Sequence, residues 1–123
     1  MTPALPEAEA IEAAARDYAA GWYTANAERV ARCLHLELAK RTIERDPHTN
    51  AEHFVHLTRD HLIQATARGG GHNPAAVCTV SILDVYREIA TVRVDSPEYV
   101  DYLHLAKAEG RWQIINVLWA DKP

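Results

Sequence analysis

Apolar residues recur every three or four positions near the amino terminus of the chain, as they do on one face of a helix. The recurring positions are Ile11, Ala15, Tyr18 and Trp22. Pro6 precedes them and suits the first turn of a helix, where its missing N–H costs nothing. The pattern predicts a helix from Glu7 to about Thr24.

Two further helices are expected before residue 70. Asn26 is a residue type that caps helices, so a short helix with Ala27, Val30 and Leu34 on one side should follow it. The next stretch, "HLELAKRTIERDPHT", breaks the helical spacing and predicts an irregular or short extended connection. Asn50 should then cap a third helix, "NAEHFVHLTRDHLIQ", which ends before the loop "ARGGGHNP".

After Pro74 the apolar period changes to two. "AVCTVSILDVY" and "IATVRVD" predict one hairpin, and "EYVDYLHLAKAE" and "RWQIINVLWA" predict a second hairpin that turns at Gly110. Helices followed by four antiparallel strands indicate an α+β fold, with amino-terminal helices packed on a strongly curved, mostly antiparallel sheet. A chain of 123 residues is expected to form a single domain, residues 1–123.

Composition excludes several classes of protein. The chain is 48% hydrophobic with a net charge of −4, and its basic residues form no cluster, so nucleic acid is not an expected partner. It has no apolar run long enough to cross a membrane and no export signal, so a cytoplasmic location is expected. Cys33 and Cys78 are then expected to be reduced, buried side chains.

Three histidines cluster in the predicted third helix. At about 100° per residue, His61 falls within the apolar stripe, whereas His53 and His56 lie on the polar side with Asp60. One metal ion cannot bind all three. A site of His53, His56 and Asp60 is the weaker alternative to a solvated helix face, so no metal or other cofactor is expected. His61 is either a hydrogen-bonded core residue or a pocket histidine that acts as a base.

Both faces of the second hairpin are apolar, so both should be covered. Tyr99, Asp101 and Leu103 share one face of their strand, and that face is assigned to the helices together with Asn116. The opposite face is assigned to a homodimer contact. Its members are Tyr102, Ile115, Val117 and Trp119.

This assignment directs Asp101 into an apolar cavity. A desolvated carboxylate there could act as a base or a proton donor, with Tyr18 and His61 as its catalytic partners. Around these three side chains, the predicted ligand-binding residues are Trp22, Asn116, Leu103 and Tyr99. The alternative is that Asp101 only ties the sheet to the helices through a hydrogen bond to Asn116, Tyr18 or the backbone.

Two stretches of the chain are distinctive, "DYAAGWYTANAERVARCLH" and "YVDYLHLAKAEGRWQIINVLW". They resemble the putative lumazine-binding family, which belongs to the superfamily of nuclear transport factor 2-like, cystatin-like folds. The resemblance implies a cone with a long first helix, a bent sheet, an internal cavity and dimerisation through the sheet. Tyr18 matches a first-helix tyrosine of the isomerase-like relatives, whereas "LAKRTI" lacks the carboxylate that they carry after the second helix.

The resemblance and the residues together predict a small-molecule-binding protein with an internal apolar pocket. Relatives in the superfamily include isomerase-like, cyclase-like and dehydratase- or hydrolase-like enzymes, so cofactor-free acid–base catalysis is one expectation. A non-catalytic structural or interaction module, with its cavity filled by its own side chains, is the alternative.

Overall fold

The computed structural model describes residues 5–123, and in them the chain forms three helices and six strands. The helices are α1 (Leu5–Tyr23), α2 (Ala27–Cys33) and α3 (Arg59–Ala67). The strands are β1 (Leu34–Arg45), β2 (Glu52–Thr58), β3 (Thr79–Tyr86), β4 (Ile89–Asp95), β5 (Tyr99–Ala108) and β6 (Arg111–Asp121). Helices packed on a mostly antiparallel, curved sheet confirm the predicted α+β class.

The two amino-terminal helices are confirmed where the spacing predicts them. The apolar stripe of α1 packs into the core, with Ile11 and Ala15 fully buried and Tyr18 only 5% exposed. At the start of α2, Oδ1 of Asn26 accepts a hydrogen bond from the backbone N–H of Arg29 at 3.1 Å. This bond pairs a backbone donor that the helix itself leaves open.

A carboxylate on α1 fastens the two helices together. Asp17 accepts hydrogen bonds from Nε of Arg29 at 2.8 Å and from Nε and Nη2 of Arg32 at 2.9 and 2.8 Å. Although partial burial raises the pKa of Asp17, the hydrogen bonds from the two guanidinium groups outweigh it and hold the pKa below its usual value. The position of α2 therefore depends on an ionised Asp17.

Within residues 5–123 the strands form one sheet in the order β2-β1-β6-β5-β4-β3. β1 and β6 are parallel, and the other neighbouring pairs are antiparallel. Register shifts in three of the pairs bend the sheet. Glu109 and Gly110 both have positive φ (54° and 76°), the backbone geometry of the tight turns that match the twist of antiparallel strands.

The stretch that was predicted to be an irregular or short extended connection instead forms the twelve-residue strand β1. Its core-facing positions include Lys40 and the buried Thr42, while Ile43 is 53% exposed on the outer face. Polar residues inside and an apolar residue outside hide the alternation that would mark a strand.

The prediction of a helix is also wrong for the amino-terminal half of the histidine-rich segment, because this half forms strand β2 at the edge of the sheet. Phe54 is 66% exposed and Leu57 faces the core side, although their spacing of three resembles that of one helical face. Helix α3 starts at Thr58, whose Oγ1 accepts the backbone N–H of His61 at 3.2 Å. Nδ1 of His61 in turn accepts the backbone N–H of Thr58 at 3.4 Å, completing a reciprocal cap.

A bulge in β6 reverses the faces of its second half. His104 pairs with Asn116 and Leu105 with Ile114, so Ile115 is an extra residue. Val117 is therefore 1% exposed on the core side, and its assignment to the outer face is wrong; the same holds for Trp119. Of the other residues predicted for that face, Tyr102 is 41% exposed and Ile115 37% exposed.

Three further observations concern the described part of the chain. No helix in it has the length and apolar character needed to cross a membrane. Residues 5–123 contain no group of three or more His, Cys, Asp or Glu side chains that could hold a metal ion. Cys33 and Cys78 are both free thiols, and burial raises the pKa of Cys33 to about 12.

Candidate functional site

A cavity of about 440 Å³ lies between α1, α3 and the inner face of the sheet. This volume is in the usual range of small-molecule sites. Most of its wall is apolar, and the main contributors are Ala19, Trp22, Val30, Leu57, Leu62 and Trp119. Tyr18 and Asp101 both line the cavity.

A wider depression on the outside of the molecule, between α2 and the β5–β6 turn, is a weaker candidate. Its arginines are already engaged: Arg59 donates to two backbone carbonyls, Arg111 donates to the carbonyl of Arg32, and Arg32 pairs with Asp17. The depression therefore offers a ligand few free donors.

Three side chains from three elements form a hydrogen-bonded chain in the cavity wall. Nζ of Lys40, on β1, donates to Oη of Tyr18, on α1, at 2.6 Å. Oη of Tyr18 donates to Oδ2 of Asp101, on β5, at 2.6 Å. Tyr18 and Asp101 are each 5% exposed, and Oδ1 of Asp101 makes no hydrogen bond to any residue in 5–123. The chain thus joins an ammonium group to a carboxylate through one hydroxyl.

The low polarity of the surroundings disfavours the charged form of each member. Desolvation raises the pKa of Asp101, although the charge of Lys40 and the hydrogen bond from Tyr18 lower it in part. Desolvation lowers the pKa of Lys40, opposed by the charge of Asp101. Burial and the Asp101 carboxylate raise the pKa of Tyr18 well above its usual value. The pKa values of acid and base are thus brought closer together.

Aromatic rings surround the ammonium group of Lys40. Nζ lies 5.0 Å from the centre of the Tyr18 ring and 4.8 Å from that of the Trp119 ring. Contacts of this kind attract a cation to the ring faces. They fix the lysine side chain along the wall and keep its nitrogen at the cavity surface.

The opposite end of the cavity is formed by a second, neutral group of hydroxyls. Oη of Tyr23 donates to Oγ of Ser96 at 3.1 Å, and Oγ of Ser96 donates to the backbone carbonyl of Tyr99 at 3.3 Å. Burial raises the pKa of Tyr23 and of Tyr99, so both phenols stay protonated at neutral pH. This end can offer hydrogen bonds to a ligand but no charge.

The glycine-rich loop after α3 packs closely against the end of α1, which carries the cavity residue Trp22. The N–H of Gly71 donates to the carbonyl of Trp22 at 3.0 Å, and a Cβ on Gly70 would stand 2.1 Å from that carbonyl oxygen. Only glycine permits this approach. Nε1 of Trp22 is buried beside Gly71 and has no hydrogen-bond partner within residues 5–123.

Exposed side chains from α3 and from the residue after it also line the cavity. They are His61, Gln64 and Arg68. His61 was predicted to lie in an apolar stripe, but its side chain is exposed. Helix α3 starts eight residues later than expected, so His61 lies in its first turn. Its Nδ1 faces the cap, so Nε2 is the ring nitrogen left for other partners.

Four of the predicted site residues line the cavity in addition to His61: Tyr18, Trp22, Tyr99 and Asp101. Asn116 does not, because the β6 bulge turns it to the other side of the sheet, where its Nδ2 lies 3.3 Å from Nδ1 of His104. Leu103 is fully buried in the core and is not among the cavity residues. Neither side chain therefore lines the cavity in which it was predicted to contact a ligand.

The sequence patterns missed several cavity residues, and Lys40 and Trp119 are the most consequential of them because they belong to the charged part of the wall. Lys40 lies in "LAKRTI", where the search was for a carboxylate and the segment was expected to be irregular. A lysine two residues from the buried Leu38 and two from the buried Thr42 is the signal that could have revealed it. Trp119 was hidden by the bulge, which has no marker in the residue types.

Comparison with known proteins fits this architecture. A profile of the putative lumazine-binding family matches residues 6–120. The chain belongs to that family. The predicted resemblance is confirmed, and it extends over nearly the whole length of the chain. No match is found among curated proteins.

Solved structures place this putative lumazine-binding family member among nuclear transport factor 2-like folds. One is a protein of unknown function from Shewanella baltica, 19% identical, with a TM-score of 0.83 over 100% of this chain and 99% of that chain. A ketosteroid isomerase-like protein from Erwinia carotovora atroseptica is 16% identical, with a TM-score of 0.68 over 98% and 100%. A putative scytalone dehydratase from Novosphingobium aromaticivorans is 18% identical, with a TM-score of 0.63 over 97% and 86%. At these identities the likeness establishes the fold alone.

Proposed function

We propose that this protein binds a small, partly apolar molecule in the cavity between α1, α3 and the sheet. The observation that carries the proposal is an open volume of about 440 Å³ whose apolar walls converge on the Lys40–Tyr18–Asp101 chain. A module whose cavity is filled by its own side chains is not favoured, because such a core would leave no comparable space.

We further propose that the bound molecule undergoes cofactor-free acid–base chemistry, for example isomerisation, cyclisation, dehydration or hydrolysis. Oδ1 of Asp101 is the candidate base, because it has no partner among residues 5–123 and because desolvation raises the pKa of this carboxyl above its usual value. The hydroxyl of Tyr18 and the ammonium of Lys40 can stabilise negative charge on a reacting oxygen. His61 is a candidate proton carrier in the cavity wall.

Dimerisation through the outer face of the sheet is part of the proposal. Tyr102 and Leu118 face each other across β5 and β6 on this side and are 41% and 48% exposed. Ile43 and Phe54 extend the apolar surface across β1 and β2. Burial of such a surface against a second copy would remove it from water. The cytoplasmic location and the absence of nucleic-acid partners also stay predictions.

A thermal-shift screen of small, partly apolar compounds tests ligand binding. A compound at 100 times its Kd should raise the free energy of unfolding by about 2.7 kcal/mol. Ala65→Phe should abolish the shifts, because Ala65 lines the cavity and the larger side chain would occupy it. Ala67→Phe is the matched control on the same helix, at an exposed position outside the cavity, and should keep them.

Two results would contradict the proposal. One is a screen that yields no stabilising compound. The other is a set of compounds that stabilise Ala65→Phe as strongly as the unmodified protein, since these would bind elsewhere.

A further inference from the structure

The chain has three lysines, and the surroundings of Lys40 differ from those of the other two. Lys107 forms an ion pair with Glu7 at 2.7 Å, and Lys122 lies 3.8 Å from Asp95. Among the ion pairs within residues 5–123, none includes Lys40. The hydrogen-bond partner of its Nζ there is the Tyr18 hydroxyl, and Nζ also lies over the rings of Tyr18 and Trp119.

We infer that Lys40 is a nucleophile that condenses with a carbonyl group of the bound molecule to form an imine. The inference deepens the proposed function, and rests on it, by naming the ligand class as aldehydes and ketones with a partly apolar body. A lysine amine becomes nucleophilic when its surroundings disfavour the ammonium form, as an apolar pocket does.

The hydrogen-bonded chain provides a route for the proton that Lys40 must lose. Both links are 2.6 Å long, so one proton can pass from Nζ of Lys40 to Oη of Tyr18 while another passes from Oη to Oδ2 of Asp101. This double transfer turns an ammonium–carboxylate pair into an amine and a carboxylic acid. Exclusion of water lowers the free-energy cost of the neutral pair, because neither member then carries a buried charge, so the amine is accessible from the resting ammonium–carboxylate pair.

The condensation balances with the groups present. The lone pair of Nζ attacks the carbonyl carbon, an N–C bond forms, and a proton moves from nitrogen to the carbonyl oxygen to give a carbinolamine. The Asp101 carboxylic acid then returns its proton, through Tyr18, to the hydroxyl that leaves as water. The products are a protonated imine on Lys40, an Asp101 carboxylate and one water molecule. The protonated imine withdraws electrons from the neighbouring carbon, which prepares that carbon for the acid–base step proposed above.

The cavity gives a carbonyl compound room to reach Lys40. Nζ lies beside Trp119 in the wall of a space of about 440 Å³, which exceeds the size of a single aromatic ring with a short substituent. The Trp119 and Tyr18 rings offer flat surfaces on which such a ring can stack. Benzaldehyde is therefore a suitable probe.

Reductive trapping tests the inference in the unmodified protein. The protein is incubated with benzaldehyde and sodium cyanoborohydride, which reduces an imine to a stable benzylamine, and the modified lysines are identified by peptide mass spectrometry. Lys40 should be modified faster than Lys107 and Lys122, by about tenfold for each unit by which burial lowers the pKa of Lys40 below the usual lysine value. Tyr18→Phe should slow modification of Lys40 and leave the rates at the other two lysines unchanged.

Modification of Lys40 at or below the rates of Lys107 and Lys122 would overturn the inference. This comparison is made in the unmodified protein, so it does not depend on the folding of a variant. Benzyl alcohol, which has the same ring and no carbonyl, separates this failure from failure of the proposed function. If benzyl alcohol shifts the indole N–H NMR signals of Trp22 and Trp119 while Lys40 stays unmodified by benzaldehyde, the binding proposal stands and the imine is excluded. If neither compound has an effect in the cavity, both proposals fail.

Discussion

Tyr18 links the amino-terminal helix to the sheet through a single oxygen atom. Because a phenol has one hydrogen to donate, its donation to Asp101 means that it accepts from Lys40. The tyrosine and the acid were predictable from the sequence, since both lie on periodic apolar faces where a polar group stands out. The lysine was not, because apolar and polar residues do not alternate regularly along its strand, where Leu38 is buried but Leu36 is 80% exposed. Residue patterns therefore identified two members of the three-residue chain.

The titration of Asp101 is a prediction at this scale. Its pKa should lie above the usual value of about 3.9, because desolvation disfavours the carboxylate. In Lys40→Met the pKa should rise further, since a neighbouring positive charge is lost. Folding that raises a carboxyl pKa adds stability below the unfolded pKa, and that contribution is lost as the pH rises through the folded pKa. Carboxyl NMR titration measures both values.

Asp17 is an internal comparison in the same spectra, because its two arginine partners lower its pKa. The electrostatic description of the cavity would be wrong if Asp101 titrated at or below the usual value, or if it titrated together with Asp17.

Among the elements, those with a regular apolar period were predicted and those without one were not. The helix α1 and both carboxy-terminal hairpins follow from spacings of three to four and of two. Strands β1 and β2 could not be predicted in this way. The polar residues Lys40 and Thr42 lie on the core side of β1, and β2 is an exposed edge strand. The bulge at Ile115 could not be predicted either, since it is set by sheet curvature and not by a local residue preference.

The contact between α1 and α2 leads to a prediction at the element scale. Asp17→Asn should lower the free energy of unfolding at pH 7 by about 1–2 kcal/mol, because charge-assisted hydrogen bonds to Arg29 and Arg32 are weakened. The pKa of Asp17 is lowered on folding, so this stability is present above the unfolded pKa of about 3.9 and is lost as the pH falls through the lower folded value. Urea denaturation at pH 7 and at acidic pH measures the difference.

Glu12→Gln is the control on the same helix, because the Glu12–Arg16 pair is 47% exposed on both sides and contributes little. Equal losses from the two substitutions at pH 7, or a loss from Asp17→Asn that does not shrink in acid, would show that Asp17 does not act through its charge.

The whole molecule has two apolar regions with different expected occupants, the cavity for a small molecule and the outer sheet face for a second copy. Leu118→Glu should convert a dimer to a monomer, because a carboxylate in the centre of an apolar contact would be desolvated without a partner. Light scattering coupled to size-exclusion chromatography measures the mass. A protein that is monomeric before substitution, or a variant that remains dimeric, would contradict the assignment of this face.

The cavity was expected from the family resemblance and from one inward-facing acid, and its occupancy by a ligand is the central claim. The chain has three tryptophans, and the indole N–H of each gives a separate signal that can report on ligand binding. Trp22 and Trp119 line the cavity, whereas Nε1 of Trp112 donates to Glu7 at 2.7 Å in a different part of the fold. A titration with a stabilising compound, followed through the three indole N–H signals in a two-dimensional NMR spectrum, should shift Trp22 and Trp119 together and leave Trp112 in place. Signals that all stay in place at saturation, or a shift confined to Trp112, would contradict the claim.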